Sequence, residues 1–246
     1  MIFTEKYTTR WHDTDADRRV RITQMLVYMQ ETSNFHMESC GPSLDALRDE
    51  QGLAFILSKI RMSVYKQLYA FENIEIQTWT CPNHGFAIPR FYRIVRGTDV
   101  IAEADTTWAL LDLKNGRLVK GDEGMKYYRF ENTAPSPIEV PQRFKLPANV
   151  SLEHMAKRSI VYSDLDYNMH MNNTKYTDML CDHIPLSDVG KIKGVFLSYL
   201  NEAAYGDELD IHHALSDNVH YFRTVNGSGR ACLEAMLILD SDGELK

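Results

Sequence analysis

Apolar residues recur along this chain at two periods, and the order in which the periods alternate is itself repeated. Over residues 23–40 they fall three to four apart, with Met25, Met29, Ser33 and His36 on one stripe, which predicts a helix closed by Gly41 and Pro42. A shorter helix is predicted over 43–51. The period then drops to two. Over 73–81, Ile74, Ile76, Thr78 and Thr80 alternate with Glu75, Gln77, Trp79 and Cys81, and with 53–64, 86–96 and 100–113 this gives four strands. Gly97-Thr98 and Asn115-Gly116 are turn signals, the second before a short run at 117–120.

The second half follows the same plan in shorter form. A helix over 172–183 stops at Pro185, and strands follow near 193–203, 207–215, 219–225 and 231–240, with Asn226-Gly227-Ser228-Gly229 as the last hairpin turn. A sheet with one apolar face must bury it against its helix, so each half reads as an α+β layer, and two such layers side by side could share one long sheet.

Between the halves, ENTAPSPIEVPQRFKLPANV carries four prolines in twenty residues and little periodicity, the signature of an extended connection. The expected organisation is therefore an N-terminal unit over 1–130, a Pro-rich linker over 131–149 and a C-terminal unit over 150–246. Shifting one half on the other by 151 positions sets Asp13 on Asp164, Asp15 on Asp166, Asp17 on Asn168 and Arg19 on His170. A shift of 135 sets Gln67 on Glu202, Glu75 on Asp210 and Ile76 on Ile211.

Composition narrows the function classes. At 44% hydrophobic and 25% charged, the 246 residues make an ordinary globular chain, and no apolar run exceeds five residues, so no membrane span is expected. The first strand-like stretch begins almost at Met1, leaving no room for a secretory signal, and a cytoplasmic location is expected. Cys40, Cys81, Cys181 and Cys232 lie far apart, and the nine histidines form no ligand motif, so neither a disulfide framework nor a metal or other cofactor is implied. Residues 1–130 carry 17 basic against 17 acidic side chains, and residues 131–246 carry 10 against 17. An acidic partner would therefore dock on the first half, through Arg10, Arg18, Arg19, Arg21, Lys59, Arg61 and Lys66, or Arg90, Arg93 and Arg96. Nucleic acid is not expected at a pI near 5.7 with no binding motif.

The most distinctive segment is SDLDYNMHMNNTKY, residues 163–176, where Asp166, Asn168 and His170 stand two apart before a predicted helix. In an extended segment they would project to one face. A carboxylate, an amide and an imidazole so gathered can orient a base, hold a carbonyl or oxyanion, and move a proton. The same residues also serve commonly as turn and cap formers, the reading that suits Asn172-Asn173.

This segment, an apolar helix, and then LSYLNEAAYGDEL resemble the C-terminal half of the fatty acyl-acyl carrier protein thioesterases, whose motif reads DxNxHxNNxKY followed by YxxE. RWHDTDADRRVRITQMLVYMQE and GLAFILSKIRMSVYKQLYAFENIEIQTW resemble its N-terminal half, so the resemblance covers nearly the whole chain. It implies an α+β tandem, or double, hotdog fold, in which two antiparallel sheets each wrap a long helix. It also implies hydrolysis of a fatty acyl thioester on acyl carrier protein, with no cofactor. Carried over residue by residue, the catalytic positions fall on Asp166, Asn168, His170 and Glu202. The cysteine that follows the glutamate in plant relatives is Ala203 here, which removes a thiol nucleophile.

Two mechanisms remain. Glu202 or His170 activates a water while Asn168 steadies the oxyanion, or Asp166 attacks to form a mixed anhydride that water then opens. The second is favoured slightly, because the resemblance includes all four positions. Asp15, Asp17, Arg19 and Gln67 occupy the corresponding first-half positions, where Arg19 and Gln67 replace the base and the second carboxylate with groups that do not accept a proton, so one site per chain is expected. Met25, Met29, Phe55 and Ile56 are candidates to line the acyl chain, or else plain core. An acyl-CoA thioesterase and a non-catalytic acyl-binding module are the competing functions, and a homodimer is compatible with all three.

Overall fold

Two long strands, one from each half, meet at the middle of the molecule, and four further strands flank them on either side. The computed structural model describes residues 2–241, so Met1 of the first expected unit and residues 242–246 of the second lie outside the described residues. The first half runs β1 (Phe3–Thr8), α1 (Ile22–Cys40), α2 (Leu44–Gln51), β2 (Leu53–Val64), β3 (Asn73–Thr80), β4 (Ile88–Arg96), β5 (Asp99–Asp112), β6 (Arg117–Val119) and α3 (Gly121–Met125). The second runs β7 (Glu153–Ser159), α4 (Lys175–Cys181), α5 (Leu186–Val189), β8 (Ile192–Tyr199), β9 (Glu208–Ser216), β10 (Val219–Asn226) and β11 (Ala231–Leu239).

Hydrogen bonding orders the strands β1-β3-β4-β5-β2-β8-β11-β10-β9-β7, with β6 added on β5. Each strand on one side of β2/β8 has its counterpart at the same distance on the other. The register carries the symmetry further: Lys59 pairs with Ser198, Ser63 with Gly194, and Arg61 with Phe196. Arg61 and Phe196 are related by the same 135-residue shift that relates Gln67 to Glu202, so a pseudo-twofold axis passes between them. The expected tandem α+β arrangement is present, with its two sheets joined into one.

Helix α1 buries Met25, Leu26, Tyr28, Met29, Thr32, Ser33, His36 and Met37, the three-to-four spacing that its sequence announces. It lies beside α4, where Thr23 Oγ1 is 2.6 Å from Thr177 Oγ1 and donates to Asp178 Oδ1 at 2.5 Å. The main core on this side of the sheet is shared by both halves, from Met25 and Met29 through Ile60 and Val195 to Met179 and Leu180. Ser43 caps α2 by accepting from Ala46 N at 3.1 Å, and Gly52 closes it in the left-handed region at φ 66°.

The opposite face of the sheet is covered by the Pro-rich segment. Residues 131–149 hold no helix or named strand, yet Val140 is buried against Phe196, Tyr221 and Met236, with Ile138, Phe144 and Leu146 packed around it. Its carbonyls accept from sheet side chains: Ala134 O from Trp79 Nε1 at 3.0 Å, Val140 O from Arg61 Nη1 at 3.0 Å and Gln142 O from Lys59 Nζ at 3.1 Å. Prolines suit such a strap, because a segment held through its carbonyls loses nothing by lacking N–H donors.

Several elements differ from the sequence reading, which lacks the short helices α3 and α5 altogether. Helix α4 spans seven residues rather than 172–183, because Asn172 Oδ1 accepts from Thr174 N at 3.0 Å and holds a turn before the helix starts. Strand β8 ends at Tyr199, where Leu200 and Asn201 turn over Cys232 O. Strand β7 carries no apolar alternation, since as an edge strand it is exposed at five of seven positions.

Candidate active site

The loop between β7 and α4 is built by Asp166. Its Oδ1 accepts from the N–H groups of Asn168 at 2.8 Å and His170 at 3.3 Å, while its own N–H donates to His170 O at 2.9 Å. The turn is completed by Met169, which adopts φ 65° and donates to Asp166 O at 3.1 Å. The segment is therefore a tight loop and not the extended run that would set Asp166, Asn168 and His170 on one face. Left-handed Met169 reverses the chain, so the carboxylate turns inward to the loop while the amide and the imidazole turn away from it. Asp164 anchors the base of the loop, accepting from Val161 N at 3.0 Å and from Arg158 Nη2 at 2.6 Å.

Glu202 arrives from the far side. After β8, Leu200 N donates to Cys232 O at 2.8 Å, and the Cys232 thiol donates to Glu202 O at 3.7 Å. Met171 N reaches Ala203 O at 2.8 Å, which pins the two segments together. These contacts bring His170 Nε2 within 3.4 Å of Glu202 Oε2. The imidazole is 32% exposed and the carboxylate 65%, so water reaches the pair freely. Cys232 is fully buried, and burial raises its thiol above the ordinary range, which leaves it protonated beneath the site. Ala203 is also buried.

Asn168 reaches in the opposite direction, to a residue of the other half. Arg48 of α2 donates from Nη1 to Asn168 Oδ1 at 2.8 Å, and its guanidinium lies 5.2 Å from the centre of the Tyr167 ring. No periodicity or motif in the sequence marks Arg48. The structure thus brings His170 and Glu202 together, holds Asn168 on the same loop but against Arg48, and uses Asp166 to support that loop through its backbone.

The first half holds the same loop, bond for bond. Asp15 Oδ1 accepts from the N–H groups of Asp17 and Arg19, both at 2.9 Å; Asp15 N donates to Arg19 O at 2.8 Å; and Arg18 takes φ 68° where Met169 takes 65°. Val20 N donates to Leu68 O, as Met171 N does to Ala203 O, and this places Gln67 on Glu202 in space. What fills the loop differs. Arg19 is 7% exposed and paired with Asp15 and Asp17, and Gln67 Nε2 donates to Gly190 O at 3.0 Å. A Cβ on Gly190 would stand 1.7 Å from Arg19 Nη1, so the end of α5 is pressed onto the guanidinium and the position is closed to solvent.

The four apolar candidates do not form one surface. Met25 and Met29 share the main core, whereas Phe55 packs with Met37, Leu47 and Tyr128 in a separate cluster near α2. Ile56, next to Phe55 in β2, projects from the opposite face of the sheet. Among the described residues no cluster of metal-ligating side chains occurs, and no helix is long and apolar enough to cross a membrane.

Two family models match the chain: the acyl-ACP thioesterase N-terminal domain over residues 1–126 and the acyl-ACP thioesterase C-terminal domain over 149–235. An acyl-[acyl-carrier-protein] hydrolase of Cuphea viscosissima is 23% identical over 75% of the chain and 48% of its own length. A palmitoyl-acyl carrier protein thioesterase of Gossypium hirsutum is 21% identical over 89% and 56%. The chain thus spans about half the length of these curated relatives. Among solved structures, an acyl-ACP thioesterase from Bacteroides thetaiotaomicron superimposes with a TM-score of 0.86 at 22% identity, covering 97% of this chain and 98% of that one. The 12:0-ACP thioesterase of Umbellularia californica gives 0.82 at 19% identity, covering 97% of each. Both have the double hotdog fold of this chain.

Proposed function

The chain belongs to the acyl-ACP thioesterase family, and from that membership we propose that it hydrolyses a fatty acyl thioester on acyl carrier protein, using the single site around Asn168, His170 and Glu202. The observation that carries this reading is the 3.4 Å approach of His170 Nε2 to Glu202 Oε2, with the carboxamide of Asn168 two residues before the imidazole on the same loop. His170 takes a proton from water as the water attacks the thioester carbon, and Glu202 stabilises the imidazolium that results. Asn168 Nδ2 donates to the oxygen as charge builds on it. Collapse of the tetrahedral adduct expels the pantetheine sulfur, which takes the proton from the imidazolium, and the free acid departs.

Asp166 is assigned to loop building rather than attack. Its Oδ1 is committed to two backbone N–H groups, and Asp15 makes the same bonds in the half that lacks the base. Met25 and Met29 are the apolar candidates best placed for the acyl chain, because they share a core with Met171, which directly follows His170. Thioether side chains repack readily around a guest. The N-terminal unit then holds the acyl chain and the C-terminal unit the chemistry. The four cysteines are free thiols, which suits the reducing cytoplasm.

The test is release of free acid from a panel of acyl carrier protein thioesters and their CoA equivalents. Faster turnover of the protein-borne acyl group, weakening as salt rises, supports the assignment. Equal rates on both carriers would favour an acyl-CoA thioesterase, and no release from either would leave an acyl-binding module.

A further inference from the structure

We propose that Arg48 is a positioning residue for this reaction, supplied to the C-terminal site by the N-terminal half. The proposal rests on the function assigned above. A guanidinium has donors only, so its 2.8 Å contact must engage the carboxamide oxygen of Asn168. The Nδ2 donors are then turned the other way, free for a substrate oxygen. Without that contact Asn168, an exposed side chain at the tip of a loop, would rotate and present oxygen as often as nitrogen.

Arg48 is itself held in place. Its α2 helix is capped at Ser43 and Gly52, Arg48 O accepts from Gly52 N at 2.9 Å, and neighbouring Leu47 is buried. The guanidinium also lies against the Tyr167 ring, so two successive loop residues, Tyr167 and Asn168, are gripped by one side chain. The exchange between halves is mutual. At the first-half loop it is Gly190, after α5 of the other half, that engages Gln67. Each loop is completed across the seam, but only the Arg48 crossing leads to a side chain that can meet substrate.

A hydrogen bond that steadies a donor used in the transition state should act on kcat more than on KM. Arg48→Met is expected to lower kcat roughly tenfold, the weight of one net hydrogen bond, with KM and melting temperature little changed. Arg48→Lys, which keeps one donor and the charge, should recover part of the loss. Combining Arg48→Met with Asn168→Ala should be no worse than Asn168→Ala alone, since Arg48 acts through that amide. Losses that multiply would overturn the proposal, as would a kcat within twofold of the parent. A salt-dependent rise in KM at unchanged kcat would make Arg48 a carrier-docking residue instead and would equally overturn it. Asn168→Ala and His170→Ala separate the two levels. If both leave turnover intact, the site reading fails and this proposal with it; if both abolish turnover while Arg48→Met does not, only the role of Arg48 fails.

Discussion

Glu202 and Gln67 occupy the same point in two copies of one fold, each just before a residue whose carbonyl accepts the N–H that follows the loop. The carbonyls belong to Ala203 and Leu68, and the N–H groups to Met171 and Val20. Glutamine is therefore a side chain this position accommodates. Glu202→Gln should fold with a melting temperature within a few degrees of the parent while turnover falls about 10²- to 10⁴-fold, and His170→Ala should behave alike. Steady-state hydrolysis alongside thermal melts checks both; retained turnover in either variant contradicts the assignment.

Asp166 can be separated from a nucleophile by a substitution that keeps its hydrogen bonds. Asparagine forms the same turn through its side-chain oxygen. Asp166→Asn should keep activity within about tenfold, and Asp166→Ala should lose far more by releasing the loop. In single-turnover hydrolysis in heavy-oxygen water, label should appear in the released acid and none in Asp166. Label in the protein would establish direct attack.

Gly190 is fixed by what lies above it. Because Arg19 is buried and held by Asp15 and Asp17, Gly190→Ala should destabilise the chain by about 1–3 kcal/mol. The penalty should vanish in an Arg19→Ala background. Denaturant melts of the four proteins test it, and additive effects would show that the guanidinium is not the obstacle.

Acid should weaken the fold well before its carboxylates titrate. Burial, aided by neighbouring Arg90, lowers the His36 pKa to about 4, and burial with neighbouring His220 lowers that of His213 to about 4. In the unfolded chain both return to about 6.5. Between these values the unfolded state binds protons that the folded state refuses, so stability falls as pH drops from about 6.5 toward 4. Melting temperatures across this range should show the slope, and His213→Gln should flatten it. A flat profile in the parent would contradict the lowered pKa of these rings.

Much of this was readable in the chain itself. The alternation of periods gives α1 and strands β2 to β5, and the two shifts place Arg19 on His170 and Gln67 on Glu202, because a duplicated backbone preserves its spacing even where side chains diverge. Strand β7 was not readable, since EHMAKRS at a sheet edge has no buried face to impose alternation. Nor was the inward turn of Asp166, which depends on one left-handed residue, Met169, of a type that does not advertise that conformation. Arg48 was hidden for a different reason: 120 positions separate it from Asn168, and only the folding of one half against the other brings them together.

Arg61 and Phe196 face each other at the pseudo-twofold axis. Were the halves identical subunits, whatever residue stood here would confront its own copy, and two arginines so opposed would repel. Joining the subunits into one polypeptide lifts that restriction. Arg61 can pair with Asp105 while Phe196 packs under Val140, and the strap between the halves serves both, offering the carbonyl of Val140 to the cation and its methyl groups to the ring. Covalent fusion thus permits a central contact that no self-complementary dimer could encode, and with it the freedom for the two halves to diverge at every position that the axis relates.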